Sequence, residues 1–221
     1  MNDNQIIKNV LFDFGRQARI GLPEAVFCES KPRDALIGLI ERFASGEPPI
    51  LFTRLWQNMF DTLPPELGSC YDYDPVSGTA WAASLPAKNK GRVAVISGGT
   101  SDASVAREAS RTLEYLGISF SLFEDCGVAA LWRLAERLPE INQHDAVIIV
   151  AGMEGALACV AGGLCSRPIF AVPTAVGYGV AAGGETALRG MLACCAPGVA
   201  VLNIGNGYGA ACAAARIINS L

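Results

Sequence analysis

The apolar positions of this chain change rhythm near residue 91. Beyond it, unbroken runs such as Val93-Ala94-Val95-Ile96 and Ala146-Val147-Ile148-Ile149-Val150 alternate with segments whose apolar residues recur every three or four positions, as at Val105, Ala109, Leu113 and Leu116. Continuous apolar runs of this length suit strands covered on both faces, and the three-to-four spacing suits the helices that cover them. The pattern predicts strands near 92–97, 118–123, 145–151, 168–173 and 198–204. Helices are predicted near 102–116, 127–138, 153–164, 184–194 and 209–220. Such alternation predicts an α/β fold with a parallel sheet covered on both faces, a three-layer, flavodoxin-like arrangement; if its strands are ordered 2-1-3-4-5, strand order reverses between the first and third.

Upstream the texture differs. Over residues 1–60, Arg16, Arg19, Glu24, Glu29, Lys31 and Arg33 are interleaved with short apolar groups. Ala35 to Phe43 has the spacing of an amphipathic helix, and Ile50-Leu51-Phe52-Thr53 that of a strand, which predicts a small amino-terminal α+β unit. Residues 61–90, rich in Pro, Gly, Ser, Asp and Tyr, read as a linker to a larger domain over 91–221.

Composition narrows the function classes. With 51% hydrophobic and 17% charged residues, 221 residues are enough for one buried core of ordinary size and a smaller unit. The net charge is −4 and no Lys/Arg cluster is present, which argues against a nucleic-acid partner; Arg16 and Arg19 make no basic face. The amino terminus lacks the basic and apolar regions of a secretory signal. Residues 146–165 are apolar except for Glu154, but their glycines and strand-then-helix division speak against a membrane span. A cytoplasmic protein without membrane or nucleic-acid partners is the expectation. None of the eight cysteines forms a C-x-x-C pair, and no His stands at metal-ligand spacing, so a structural zinc site is not expected. Most of the cysteines read as small packed groups, with the adjacent pair Cys194-Cys195 as the exception.

Candidate chemistry sits where predicted strands give way to helices. Ser97-Gly98-Gly99-Thr100-Ser101-Asp102 joins the first strand of the larger domain to its helix, baring backbone N–H groups as an anion-binding corner. Asp102 could cap that helix or meet a ligand; helix capping alone also explains this segment. The third strand leads into Gly152-Met153-Glu154-Gly155, where Glu154 has the reach of a general acid or base, or merely complements the helix dipole. In the expected strand order these two loops face each other across a crevice. The fourth and fifth strands add Thr174-Ala175-Val176-Gly177-Tyr178-Gly179 and Asn206-Gly207-Tyr208-Gly209 at the same edge. His144, the only histidine, opens the third strand at the opposite edge and reads as structural.

The segments Gly99–Asp102, Ala151–Ala156, Val172–Gly179 and Asn206–Gly209, together with Arg19-Ile20-Gly21-Leu22-Pro23-Glu24 and Lys31, resemble the LarB family. The carboxy-terminal domain of that family belongs to the superfamily of aminoimidazole ribonucleotide carboxylase (PurE). The resemblance implies an enzyme of nickel-pincer nucleotide cofactor biosynthesis. Such an enzyme carboxylates the pyridinium ring of nicotinic acid adenine dinucleotide and hydrolyses its phosphoanhydride, giving a pyridinium biscarboxylate mononucleotide and AMP. It further implies CO2 or bicarbonate as co-substrate, no tightly bound cofactor, a homo-oligomer (typically an octamer), and Mg2+ as an open question for the pyrophosphate cleavage.

By the family's spacing the ring-adding nucleophile falls on Cys195, and the resemblance assigns proton handling to Glu154 and a catalytic place to Asp102. Gly99, Thr100, Ser101, Asp125, Gly152, Thr174, Gly177, Tyr178, Asn206 and Gly207 become substrate-binding positions on the same basis. Cys195 precedes the fifth strand, so within one chain it belongs to the sheet edge opposite the Glu154 loop. Either its connection bends into the crevice, or a second subunit supplies it.

Three positions depart from the family pattern: Trp132 replaces a His, Ala175 a Ser and Gly205 an Asp. Two other readings therefore stay open. One is aminoimidazole ribonucleotide carboxylase or mutase, although Phe123-Glu124-Asp125-Cys126-Gly127 stands where those enzymes carry Ser-Ala-His-Arg. The other is a non-catalytic nucleotide-binding relative, for which Cys195 and Glu154 would have no use.

Overall fold

A computed structural model describes residues 10–221, and the chain divides into two compact units. The first comprises the described residues up to Pro86 with Tyr115–Gly117, the second Ala87–Glu114 with Ile118–Leu221.

The smaller unit contains a mixed sheet ordered β1 (Ala25–Phe27), β2 (Leu51–Thr53), β4 (Thr79–Trp81) and β3 (Asp72–Asp74), with β1 and β2 parallel and the other pairs antiparallel. Helix α1 (Arg16–Ile20) precedes it, and helix α2 (Arg33–Phe43) buries Leu36, Leu39, Ile40 and Phe43 with Val26 and Phe52. Those helix positions follow the i, i+3, i+4, i+7 stripe of an amphipathic helix. Short helices α3 (Gln57–Phe60) and α4 (Pro65–Gly68) follow β2.

The expected linker over 61–90 is therefore corrected, because it holds a β-hairpin. The polar residues that suggested a linker are the hairpin's turn. Asp74 accepts the Ser77 N–H at 3.0 Å and hydroxyl at 2.6 Å, while the Gly78 N–H returns to the Asp74 carbonyl. Three-residue strands are too short to show an alternating pattern.

The larger unit is a five-stranded parallel sheet ordered β6-β5-β7-β8-β9, the 2-1-3-4-5 order expected of a PurE-like, flavodoxin-like fold. Its strands are β5 (Arg92–Ser97), β6 (Ser119–Phe123), β7 (Ala146–Ala151), β8 (Ile169–Pro173) and β9 (Val199–Val201). Central β7 is buried along its whole length. One face carries Ala94, Ile96, Val147, Ile149 and Ala171, packed with Leu157, Ala158 and Met191 of helices α8 (Ala156–Gly162) and α9 (Glu185–Leu192). Their alternate neighbours, including Val95, Ile148 and Val172, are fully buried on the other face. Helix α10 (Gly207–Ser220) lies over β7 and β8 with Ala210, Ala211, Ala214 and Ala215 buried. Side chains that small let a helix approach a sheet closely.

Two expected elements are shorter or broken. The helix predicted over 127–138 is a 3-10 turn (Val128–Ala130) followed by α6 (Trp132–Ala135) and α7 (Leu138–Ile141). Pro139, inside that stretch, has no N–H to continue a helical ladder and restrains the residue before it. The strand predicted over 198–204 ends at Val201, because the Ile204 N–H turns to the Asn203 carboxamide at 2.9 Å and Gly205 takes φ +67°. Among the described residues no helix is long and apolar enough to cross a membrane.

Candidate active site

The site grows from the carboxyl ends of the central strands. β5 stops at Ser97, and the chain turns through Gly98, whose N–H donates to the Val150 carbonyl of β7 at 2.9 Å. A 3-10 turn (Thr100–Asp102) then opens helix α5 (Ala103–Tyr115), with the Gly99 N–H donating to Asp102 Oδ2 at 3.0 Å. Capping is thus part of what Asp102 does.

Its other oxygen reaches further. Thr174 Oγ1, at the end of β8, donates to Asp102 Oδ1 at 2.7 Å, and the Gly152 N–H after β7 also donates to this carboxylate. One buried carboxylate consequently ties together the loops after β5, β7 and β8. Asp102 is only 4% exposed. That burial pushes its carboxyl above the usual carboxylate range, against the opposing pull of Thr174, Gly99 and Gly152. It exchanges a proton nearer neutrality than an exposed aspartate does.

The loop after β7 is pressed against the loop after β8. The Met153 N–H donates to the Val176 carbonyl at 2.7 Å, and Met153 takes the left-handed φ of +54°. At Gly152 a Cβ would stand 2.3 Å from the Val176 oxygen and 2.7 Å from Thr174 Oγ1, so only glycine fits.

Between these loops lies a cavity of about 370 Å3. Gly98, Gly99, Ser101 and Asp102 form one wall, and Gly152, Met153 and Glu154 another. Gly127, Val128, Ala129, Leu157 and Val176 complete it. The two loops expected to face each other across the crevice do so. Glu154 stands exposed at the mouth, one residue before Gly155 caps α8. Glycines and apolar side chains dominate the wall, a surface suited to the flat apolar part of a ligand.

The remaining candidate positions lie elsewhere. Thr174 acts from behind the wall through Asp102, and Thr100 sits in the capping turn without lining the cavity. Asp125 takes φ +55° and pairs with Arg133 at 2.8 Å. Gly177 and Tyr178 belong to the loop after β8, with Tyr178 78% exposed. Asn206 caps α10 through the Gly209 N–H at 2.8 Å. Gly207 lies against α5, where a Cβ would stand 2.4 Å from the Val105 carbonyl.

Cys195 is exposed in the connection between α9 and β9 and does not line the cavity. His144 is buried, with Nε2 2.9 Å from the Ser121 hydroxyl and Nδ1 near the Glu140 and Ile141 carbonyls, a structural arrangement. The apolar wall residues Val128, Leu157 and Val176 carry no chemical signature in the sequence; only their place beside the glycine loops marks them. Among the described residues, no group of three or more His, Cys, Asp or Glu side chains is placed to hold a metal ion.

Comparisons with known proteins agree with this geometry. Residues 92–220, the sheet unit with all its loops, match the AIR carboxylase family, and residues 5–83 match the LarB/PurE-like N-terminal domain. An uncharacterized protein of Methanocaldococcus jannaschii is 35% identical over 217 residues, covering 93% of this chain and 82% of that protein. With more than half of its length in that match and the strand order and cavity that go with it, the chain belongs to the AIR carboxylase family of enzymes and carries a LarB/PurE-like N-terminal domain.

Proposed function

We propose that this protein carboxylates the pyridinium ring of nicotinic acid adenine dinucleotide and cleaves its phosphoanhydride, as LarB-like enzymes do. The observation that carries the reading is the union, in one chain, of an AIR carboxylase domain with a LarB/PurE-like N-terminal domain. The cavity supports it. Its space of about 370 Å3, walled by glycines and apolar side chains, suits a mononucleotide half.

In this reading Cys195 adds as thiolate to the cationic ring, generating an enamine whose neighbouring carbon attacks CO2. A base then removes the ring proton from that carbon, and expulsion of the thiolate restores aromaticity. In this reading Glu154, which is exposed and lines the cavity, takes that proton. Asp102 holds three loops in register and keeps a carboxyl at the cavity wall.

Because Cys195 lies away from the cavity of its own chain, the reaction requires a second subunit to bring it there. The protein acts in this reading as a homo-oligomer, an octamer by family resemblance, in the cytoplasm.

The test is mass analysis after incubation with the dinucleotide and 13C-bicarbonate. AMP together with a mononucleotide carrying one labelled carboxyl supports the reading. Unchanged dinucleotide, with consumption of aminoimidazole ribonucleotide in a parallel reaction, overturns it in favour of the purine-pathway activity.

A further inference from the structure

Helix α9 meets the Glu154 loop with almost no side chain between them. A Cβ on Gly190 would stand 2.3 Å from the Glu154 carbonyl oxygen. Beside it, a Cβ on Gly155 would stand 3.0 Å from both the Ala187 carbonyl oxygen and Met191 Cγ. Ala187, Gly190 and Met191 follow the i, i+3, i+4 spacing of a single helix face, and that face is pressed on two consecutive residues, Glu154 and Gly155. The helix start is as close to the next loop: at Gly184, its N-cap, a Cβ would stand 2.7 Å from the Thr174 carbonyl oxygen. Glycine is a poor helix residue, and Gly190 lies inside α9 with φ outside the left-handed region. Conformation does not call for a glycine there; the Glu154 carbonyl does.

We propose that α9 positions Glu154, acting through Gly190 and Met191. The proposal rests on the carboxylation reading, in which Glu154 takes the ring proton. Neither Gly190 nor Met191 lines the cavity. What they fix is the place of the Glu154 peptide, and with it the point from which the Glu154 side chain starts. An ordinary C···O contact is about 3.3 Å, so a methyl on Gly190 displaces the Glu154 carbonyl, or the helix, by about 1 Å. A shift of that size at a reacting group costs up to about 100-fold in rate. Gly190 and Glu154 are both exposed, so the shift is taken up at the surface and the core is spared. Met191 is buried in that core, and its side chain supports Gly155, the residue next to Glu154.

The test is a double-mutant cycle on the full chain, with carboxylation of the dinucleotide followed as kcat and KM. Wild type, Gly190→Ala, Glu154→Gln and the double variant are compared. Gly190→Ala should lower kcat by about 10- to 100-fold and leave KM within about twofold, because binding is retained while the base is misplaced. In the Glu154→Gln background the same change should alter kcat by less than about twofold, since the group it acts through is already gone. Should Gly190→Ala not fold, Met191→Leu keeps the core volume and takes its place in the cycle, with a smaller fall in kcat that likewise vanishes beside Glu154→Gln. Losses that multiply in the double variant, or a rise in KM at unchanged kcat, overturn this assignment and leave the carboxylation reading standing. A wild-type protein that makes no carboxylated product overturns that reading, and the assignment with it.

Discussion

Thr174 Oγ1 donates to Asp102 Oδ1 at 2.7 Å across 72 residues of chain, and both side chains are buried. The bond joins the end of one strand to the first turn of a distant helix, and the cavity wall depends on it. Thr174→Val removes the hydroxyl and keeps the shape. A stability loss of about 1–3 kcal/mol is expected, because the buried carboxylate loses a donor. Thr174→Ser should restore most of it, as measured by urea denaturation of the three proteins.

A pair of glycines separates folding from binding. Gly152→Ala would push a methyl into the Val176 carbonyl, whereas at Gly99 nothing lies within 4 Å of an added Cβ. The expectation is that Gly152→Ala destabilises by about 1–3 kcal/mol, the usual cost of overpacking. Gly99→Ala should leave the melting temperature nearly unchanged while weakening nucleotide binding, since its methyl enters the cavity. Thermal melts and calorimetric titration of a mononucleotide would show the split; equal effects in both assays would contradict it.

Asp102 supplies a signature in pH. Its folded-state carboxyl is raised above the value of an exposed aspartate, about 4, chiefly by burial. The folded state therefore binds the proton more tightly than the unfolded chain. The resulting stability is fully present below the unfolded value and is lost as pH rises through the folded one. Asp102→Asn cannot titrate. The stability of the wild type relative to this variant should fall as pH rises from acid through the folded-state value, then level off. Denaturation midpoints of both proteins across that range check it, and a difference rising with pH would refute it.

If a second subunit brings Cys195 to the cavity, the two halves of the chemistry can be supplied by different chains. Cys195→Ala and Glu154→Gln should each lower carboxylation by about 100-fold or more. Co-expression of the two variants should recover activity that neither has alone, because some sites then combine an intact Cys195 with an intact Glu154. Absence of recovery in verified mixed oligomers would mean that one chain supplies both groups. Cys194→Ala should leave most of the activity.

The larger sheet was legible because its strands are long, apolar and separated by helices of regular period. Ala146–Ala151 announces itself as a buried strand, and its neighbours follow. Asp102 and Glu154 were legible for a second reason, since strand-to-helix turns in a parallel sheet concentrate polar residues at one edge. The hairpin at Asp72–Trp81 was not legible, because three-residue strands flanked by turn chemistry look like linker.

Four of the thirteen residues that line the cavity are glycines, Gly98, Gly99, Gly127 and Gly152, and that limits how such a site can change. Peptide groups cannot be exchanged by substitution, and at Gly152 any side chain at all collides with the opposite loop. Such a wall is intolerant of substitution where loops press together, as at Gly152, and open where they do not, as at Gly99. New ligands are reached from the lining positions that carry side chains, such as Val128, Met153 and Glu154. Change of substrate would therefore come at the mouth of the cavity, while its floor stays as the backbone made it.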